Sequence, residues 1–262
     1  MKELFKMNGE ISQKKSLSIE LGGFVLFIII WWVITEFQLV SKSVIPSPFS
    51  ILKSIPELHT DMGLIRNLLI SLALNFGGYF IAITASLFLG FVVGLIPFFK
   101  SLLNRYIDAI RFVPLAAVTG LFIAWFGISL NMKIQFLAFG IFVFLMPIVI
   151  QKIKEVDRVY LQTSFTMGAT SWQTITNVYW PYVTSRIIDD IRVLTAISWT
   201  YIISAELINT SEGGLGVLIN KAQRMGRLDM TFALLFIIVI IGFLQDMLFV
   251  KLDKQFFKYK YV

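Results

Sequence analysis

Six long apolar segments most constrain what this 262-residue chain can fold into. A helix needs about 20 predominantly apolar residues to cross the hydrocarbon core of a bilayer. The segments are Leu21–Val40, Asn67–Pro97, Ile107–Gly127, Ile134–Ile150, Ile187–Leu207 and Thr231–Val250. Only 15% of the residues are charged, whereas ordinary soluble domains carry about 25%. The chain is therefore predicted to be an all-α, polytopic membrane protein with six transmembrane helices.

The second segment is the longest, and it carries no charge from Asn67 to Phe99. That length does not hold two spans with a turn between them, so it predicts one long tilted helix that ends at Pro97. Gly90 and Gly94 have the spacing that lets two helix backbones approach closely. Because glycine is common in membrane helices, a packing role for this pair and the absence of one both stay open.

Basic residues are distributed unequally between the two ends of the predicted spans. With six spans, fourteen Lys and Arg residues lie on the side of both termini and seven lie on the other side. Positive charge favours the cytoplasm. We therefore expect a cytoplasmic segment at 1–19, a single six-helix domain at 20–251 with an inward-facing loop at about 152–186, and a cytoplasmic tail at 252–262. Since the basic residues are scattered between apolar runs, no nucleic-acid partner is predicted.

The loop between spans four and five has the pattern of a folded hairpin. Gly168 is placed to end one helix. Thr170 and Gln173 form the spacing of a capping box that starts a second helix, and Pro181 is placed to start a further one. Two interpretations fit this pattern equally well. The second helix lies in the lipid headgroups, or the hairpin binds a partner protein.

Motifs for independent chemistry are missing from the sequence. It has no Gly-x-x-x-x-Gly-Lys-Ser/Thr phosphate loop, no cysteine and a single histidine, His59. The chain is therefore not predicted to be an enzyme or to bind a metal ion. Charged residues within or near the spans are the usual functional candidates. They are Arg111, Asp189, Asp190, Arg192, Glu206 and Asp246. For Arg111 and Arg192, snorkelling to the inner surface is the preferred interpretation. Glu206 either anchors the following Gly-Gly-Leu-Gly turn or faces the outer mouth.

The hairpin resembles the cytoplasmic coupling loop of ABC-importer permeases. In that family a Glu-Ala-Ala triplet precedes a glycine, a later Ile or Val and a Pro. Gly168, Val178 and Pro181 occupy the last three positions, whereas Gln162–Ser164 replaces the triplet. Further motifs follow in the family's order over residues 20–250. They are Ile45–Pro48, Trp125–Ile128, Met167–Gln173, Ala205–Glu206 and Gly213–Gly216. Together they are similar to permeases for nitrate, sulfonate, taurine, bicarbonate and thiamine precursors.

The resemblance implies a type I importer permease in the bacterial inner membrane, with both termini cytoplasmic. It implies cytoplasmic ABC ATPase subunits that hold the ATP and Mg²⁺, an extracytoplasmic substrate-binding protein and a second copy of the permease in a homodimer. No cofactor is expected in this chain itself, and membrane lipid surrounds it. The residues that match the coupling loop are Gln162, Thr163, Ser164, Gly168, Ala169, Thr170, Trp172, Val178 and Pro181.

Span five carries polar residues on one helical face. Thr195, Ser198 and Trp199 share that face at three- and four-residue spacing, and Glu206 follows near the outer end. Two interpretations stay open. These residues line a translocation path, which we predict, or they pack against another helix. The main alternative for the whole chain is an ion-coupled secondary transporter, which would show internal repeats and broken helices around midplane charges. A structural or assembly protein is the second alternative.

Overall fold

The computed structural model describes residues 12–41 and 44–261, so the predicted N-terminal segment lies mostly outside the described residues, as does Lys42. In this part of the chain every regular element is helical. The α-helices are α1 Gln13–Glu36, α2 Pro48–Thr60, α3 Leu64–Leu95, α4 Pro97–Ile110, α5 Leu115–Phe126, α6 Leu130–Lys154, α7 Arg158–Thr166, α8 Ser171–Thr174, α9 Trp180–Ile208, α10 Leu215–Arg224 and α11 Leu228–Phe256. A π-helical turn covers Ile175–Tyr179, and a 3₁₀ turn covers Lys258–Lys260. The predicted all-α fold is confirmed.

Five helical segments of the described chain are long and apolar enough to cross a membrane. They are α1, α3, α6, Ser171–Ile208 and α11. The third predicted span, Ile107–Gly127, is not one straight helix, because α4 and α5 meet at an angle of 108°. Pro114 explains the break, since proline has no backbone N–H and disfavours the helical conformation of Val113 before it. The count of six therefore holds when the bent pair is taken as one span.

The described chain divides into two compact units, the first made of Met1–Met62 and Ala222–Ala233. Within it, the indole N–H of Trp31 donates to the carbonyl of Pro46 at 3.1 Å. Arg227 donates to both carboxylate oxygens of Glu57, at 2.8 and 2.9 Å. Such a two-point pair fixes orientation as well as distance. The predicted domain boundaries stay a prediction.

The second unit, Gly63–Lys221 with Leu234–Val262, is built on the packing of α3 and α6. Their backbones lie close together at Gly90, where an added Cβ atom would come within 2.5 Å of Val149. At Gly94 the same addition would come within 2.7 Å of Ile153. The structure therefore gives the Gly90–Gly94 pair the packing role. The predicted single helix over the second segment is confirmed as α3, with 32 residues.

Candidate functional site

The hairpin begins with α7, and a side chain caps the N-terminus of this helix. Asp157 accepts a hydrogen bond from the backbone N–H of Val159 at 2.9 Å, as helix N-caps commonly do. At its other end the N–H of Ala169 donates to Ser164 and the N–H of Gly168 donates to Phe165. This pair of bonds is the Schellman arrangement, which requires a left-handed residue. Gly168 supplies it with φ of 79°.

The predicted capping box is confirmed at the start of α8. The N–H of Gln173 donates to the Thr170 hydroxyl at 3.3 Å, and the N–H of Thr170 donates to Gln173 Oε1 at 2.8 Å. The hydroxyls of Ser164 and Thr174 lie 3.0 Å apart and join the two arms. The hairpin is therefore a folded unit whose turn is set by its own sequence.

The second arm of the hairpin continues into the membrane without a turn. α9 begins at Trp180, as predicted, but it follows α8 through the π-helical turn, so Ser171–Ile208 is one helical segment of 38 residues. The backbone N–H of Trp180 donates to Ile175, five residues earlier. The wider turn accommodates Pro181, which has no N–H to donate to the residue four before it. The second arm of the hairpin and the membrane helix are therefore one continuous helical segment, with no loop between them.

The surface of the hairpin is rich in exposed apolar side chains. Met167 is 81% exposed and Trp172 is 71% exposed, and Val159, Tyr160 and Phe165 are also exposed. Large apolar side chains exposed in this number on a short segment are typical of an interaction surface. Of the residues matched to the coupling loop, Gln162, Thr163, Gly168, Thr170 and Trp172 are exposed, and Ser164, Ala169, Val178 and Pro181 are half-buried. A cavity of about 1270 Å³ adjoins the hairpin and is also lined by Tyr259 and Lys260.

The polar residues of span five lie in the interior of the second unit. Ser198 is fully buried, and Thr195 and Trp199 are each 4% exposed. Asn75 donates from Nδ2 to the Ser198 hydroxyl at 3.1 Å. Gln245 joins Asn75 to Trp199, since its Nε2 donates to Asn75 at 3.0 Å and its Oε1 accepts from the Trp199 indole N–H at 2.9 Å. This buried network joins α3, α9 and α11, which is the contact expected of helix packing.

Glu206 anchors the glycine turn that follows α9. Its carboxylate accepts from the Ser71 hydroxyl at 2.6 Å and from the N–H of Gly216 at 2.7 Å. A Cβ atom at Gly214 would overlap this carboxylate, and Gly214 has φ of 122°. The Lys133 ammonium donates to the carbonyl of Gly213 at 3.1 Å and interacts electrostatically with Glu206. Of the two interpretations of Glu206, the geometry supports the anchor.

Sequence reasoning missed most partners in these networks. Asn67, Ser71, Asn75 and Tyr79 recur every four residues and therefore share one face of α3. Each donates or accepts a hydrogen bond that involves α9 or the glycine turn. This polar stripe in an uncharged span is a signal that the sequence contained. Lys133 and Gln245 had no comparable pattern around them.

Comparisons with known proteins agree with this architecture. Residues 82–258 match the family model described as binding-protein-dependent transport system inner membrane component. The taurine transport system permease protein TauC of Escherichia coli is 27% identical, over 92% of this chain and 89% of that protein. The putative aliphatic sulfonates transport permease protein SsuC of Bacillus subtilis is 29% identical, over 97% and 94% respectively. A crystal structure described as an amino acid ABC transporter with histidines has a TM-score of 0.56. It covers 80% of this chain and 97% of its own at 20% identity, so this likeness concerns the fold alone.

Proposed function

The chain belongs to the family of binding-protein-dependent transport system inner membrane components, and on that basis we propose that an ATPase subunit binds its hairpin and displaces it. It is the membrane-spanning permease subunit of an ABC importer. One observation carries the proposal about the hairpin. Its capped, apolar surface is continuous with a membrane helix through Ser171–Ile208, so a partner bound to the surface acts directly on that helix.

In this scheme the ATPase closes on ATP and Mg²⁺ and displaces the hairpin. Because α9 is continuous with α8, the displacement rotates or shifts α9 within the bundle and exchanges inward-open and outward-open states. Coupling of this kind requires two arrangements of the bundle that differ in their affinity for the partner. Met167 and Trp172 are the most exposed large apolar residues of the hairpin, and they supply contact area for the ATPase.

The remaining partners follow from the importer organisation. We infer a pair of ATPase subunits on the cytoplasmic side, an extracytoplasmic substrate-binding protein and a second copy of this permease. The excess of Lys and Arg on the side of the termini and of the hairpin supports a cytoplasmic position for both termini and for the hairpin. ATP and Mg²⁺ belong to the ATPase, and we expect the chain to function without a cofactor of its own.

For the substrate we propose a small organic sulfonate. Taurine and aliphatic sulfonates are the substrates named for two relatives that are similar over most of both chains. The test is a binding measurement on the partner substrate-binding protein with taurine and an alkanesulfonate. Saturable binding of either supports the class, and the absence of binding to both rejects it.

The translocation path stays a prediction for Thr195, Ser198, Trp199 and Glu206. Their side chains are buried and hydrogen-bonded within one chain. Helix packing therefore accounts for these residues without a substrate. A path role would require these contacts to change during transport.

Gly168 gives the test of the docking proposal. Any residue with a Cβ atom meets a cost of about 1–2 kcal/mol at its left-handed conformation, and Asn and Asp tolerate that conformation better than Ala. A Cβ at this position contacts no other atom of the described chain within 4 Å. A larger side chain at Gly168 therefore interferes with a bound partner protein, whereas the strain of the left-handed backbone conformation destabilises the hairpin itself.

We expect Gly168→Asp and Gly168→Asn to reach the membrane normally but to lose copurification with the ATPase and to lose uptake. Gly168→Ala, which adds strain without much bulk, is the matched control and should retain most of the copurification. If Asn and Asp variants copurify as the parental chain does, the hairpin is not the docking site. If only the Gly168→Ala variant loses copurification with the ATPase, backbone strain in the hairpin, and not a contact with the ATPase, causes the loss.

A further inference from the structure

The last described residues of the chain fold back onto the start of α9. The Tyr259 hydroxyl donates to the carbonyl of Pro181 at 2.8 Å. The Lys260 ammonium donates to the carbonyl of Ser185 at 3.2 Å and to the Asp189 carboxylate at 2.8 Å. The three acceptors are spaced four residues apart, so they form one face of the first turns of α9. This is the part of α9 that adjoins the hairpin.

The same tail residues also bind α11. Asp253 on α11 is 1% exposed, and its Oδ2 accepts from Lys260 at 3.0 Å and from the Tyr261 hydroxyl. Removing the cation would leave a buried carboxylate without its charge partner, which is strongly unfavourable. Burial disfavours the charge on Lys260, but the hydrogen bonds that its ammonium donates to Asp189 and Asp253 outweigh burial and raise the pKa of Lys260. Lys260 is therefore a charged bridge between α9 and α11.

A second tie joins the same two helices further along α9. The Arg192 guanidinium donates to both oxygens of Asp246, at 2.9 and 3.2 Å. Beyond it on α11 lies Gln245, which belongs to the buried network with Trp199 and Asn75. α11 is thus joined to the tail at Asp253, to α9 at Asp246 and Gln245, and to α3 at Gln245.

We propose that Lys260 is a positioning residue for coupling, which fastens α9 and its hairpin to α11 so that both helices move together. The proposal rests on the hairpin being the ATPase site. When the hairpin is displaced, α11 follows because Lys260 holds Asp189 and Asp253 at once. α11 then transmits the displacement to the network around Asn75. Without this bridge, the end of α9 nearest the hairpin loses its charged tie to α11, only the ties further along α9 at Arg192 and Trp199 remain, and coupling of the ATPase to the outer side of the transporter is weakened.

The experiment uses the complete transporter, with its ATPase, in proteoliposomes. The measured quantity is the ratio of ATP hydrolysis with the purified substrate-binding protein to hydrolysis without it. For Lys260→Met we expect normal copurification of the ATPase and a normal basal rate, with the stimulation ratio reduced about fivefold or more. Lys260→Arg should restore most of the ratio, because a guanidinium can also pair with two carboxylates. Lys258→Met removes a charge from an exposed residue of the same 3₁₀ turn, and it should leave the ratio unchanged.

The other outcomes contradict the proposal. An unchanged ratio in Lys260→Met means that the bridge does not couple the helices, and an equal loss in Lys258→Met means that only net charge matters. Loss of copurification in Lys260→Met assigns the residue to assembly. If that variant does not reach the membrane, Asp189→Asn decides, since it removes the α9 carboxylate that Lys260 contacts at 2.8 Å and leaves the pair of Lys260 with Asp253 in place. A reduced ratio in Asp189→Asn supports the bridge, and an unchanged ratio overturns it. Failure of the docking site itself is seen separately, in normal copurification of Gly168→Asn.

Discussion

The most quantitative prediction concerns Glu206, whose buried carboxylate holds the glycine turn. In Glu206→Ala, the Ser71 hydroxyl and the Gly216 N–H both lose the acceptor that they contact at 2.6 and 2.7 Å. Lys133, which is fully buried, also loses the stronger of its two carboxylate interactions, the weaker one being with Glu212. The substitution therefore affects three groups in one enclosed site.

The magnitude follows from the number of stranded groups. A buried donor left without an acceptor costs about 1–3 kcal/mol. Two such donors give a loss of about 2–6 kcal/mol in the free energy of unfolding, before any contribution from Lys133. For a chain of this size about 1 kcal/mol lowers the unfolding temperature by roughly 2–4 °C. Glu206→Ala is therefore expected to lower it by at least about 4 °C.

The assay is thermal unfolding of the purified, detergent-solubilised chain, with Glu212→Ala as the matched control. Glu212 belongs to the same connection but is exposed, so its removal should change stability by less than about 0.5 kcal/mol. A double-mutant cycle with Ser71→Ala should give an interaction energy of about 0.5–3 kcal/mol. Equal unfolding temperatures for the two glutamate variants, or strict additivity with Ser71→Ala, would refute the anchoring role.

The remaining predictions concern orientation and the path. A cysteine at Lys154 should react with an impermeant maleimide only after cells are permeabilised, whereas one at the exposed Glu212 should react in intact cells, and the reverse pattern would overturn the topology. If Ser198 and Trp199 line the path, Ser198→Leu and Trp199→Ala should abolish uptake while stimulated ATP hydrolysis persists. Because Ser198 is fully buried, overpacking by Leu costs about 1–3 kcal/mol. Loss of assembly, or unchanged uptake in both variants, would therefore assign these residues to packing.

Local chemistry made much of the hairpin predictable. The capping box at Thr170 and the left-handed turn at Gly168 depend on residues within one or two turns of each other. Such interactions form wherever the sequence places them, since they need no distant partner. The π-helical turn before Pro181 was less evident, because a proline both starts helices and interrupts them.

The apolar segments determined by themselves that the chain is a helical membrane protein, because in lipid every backbone polar group must be paired within a helix or a closed barrel. Hydropathy depends on composition and carries no information on the direction of a helix axis. The 108° bend before Leu115 could therefore not be predicted from an apolar segment long enough to span the membrane. Only the tertiary structure decided which groups Glu206, Lys133 and Lys260 contact. Their partners, such as Ser71 for Glu206, lie far away in sequence. A single charged residue in a span is equally compatible with a path, a lipid surface and a buried bond, until the packing of the helices selects its neighbours.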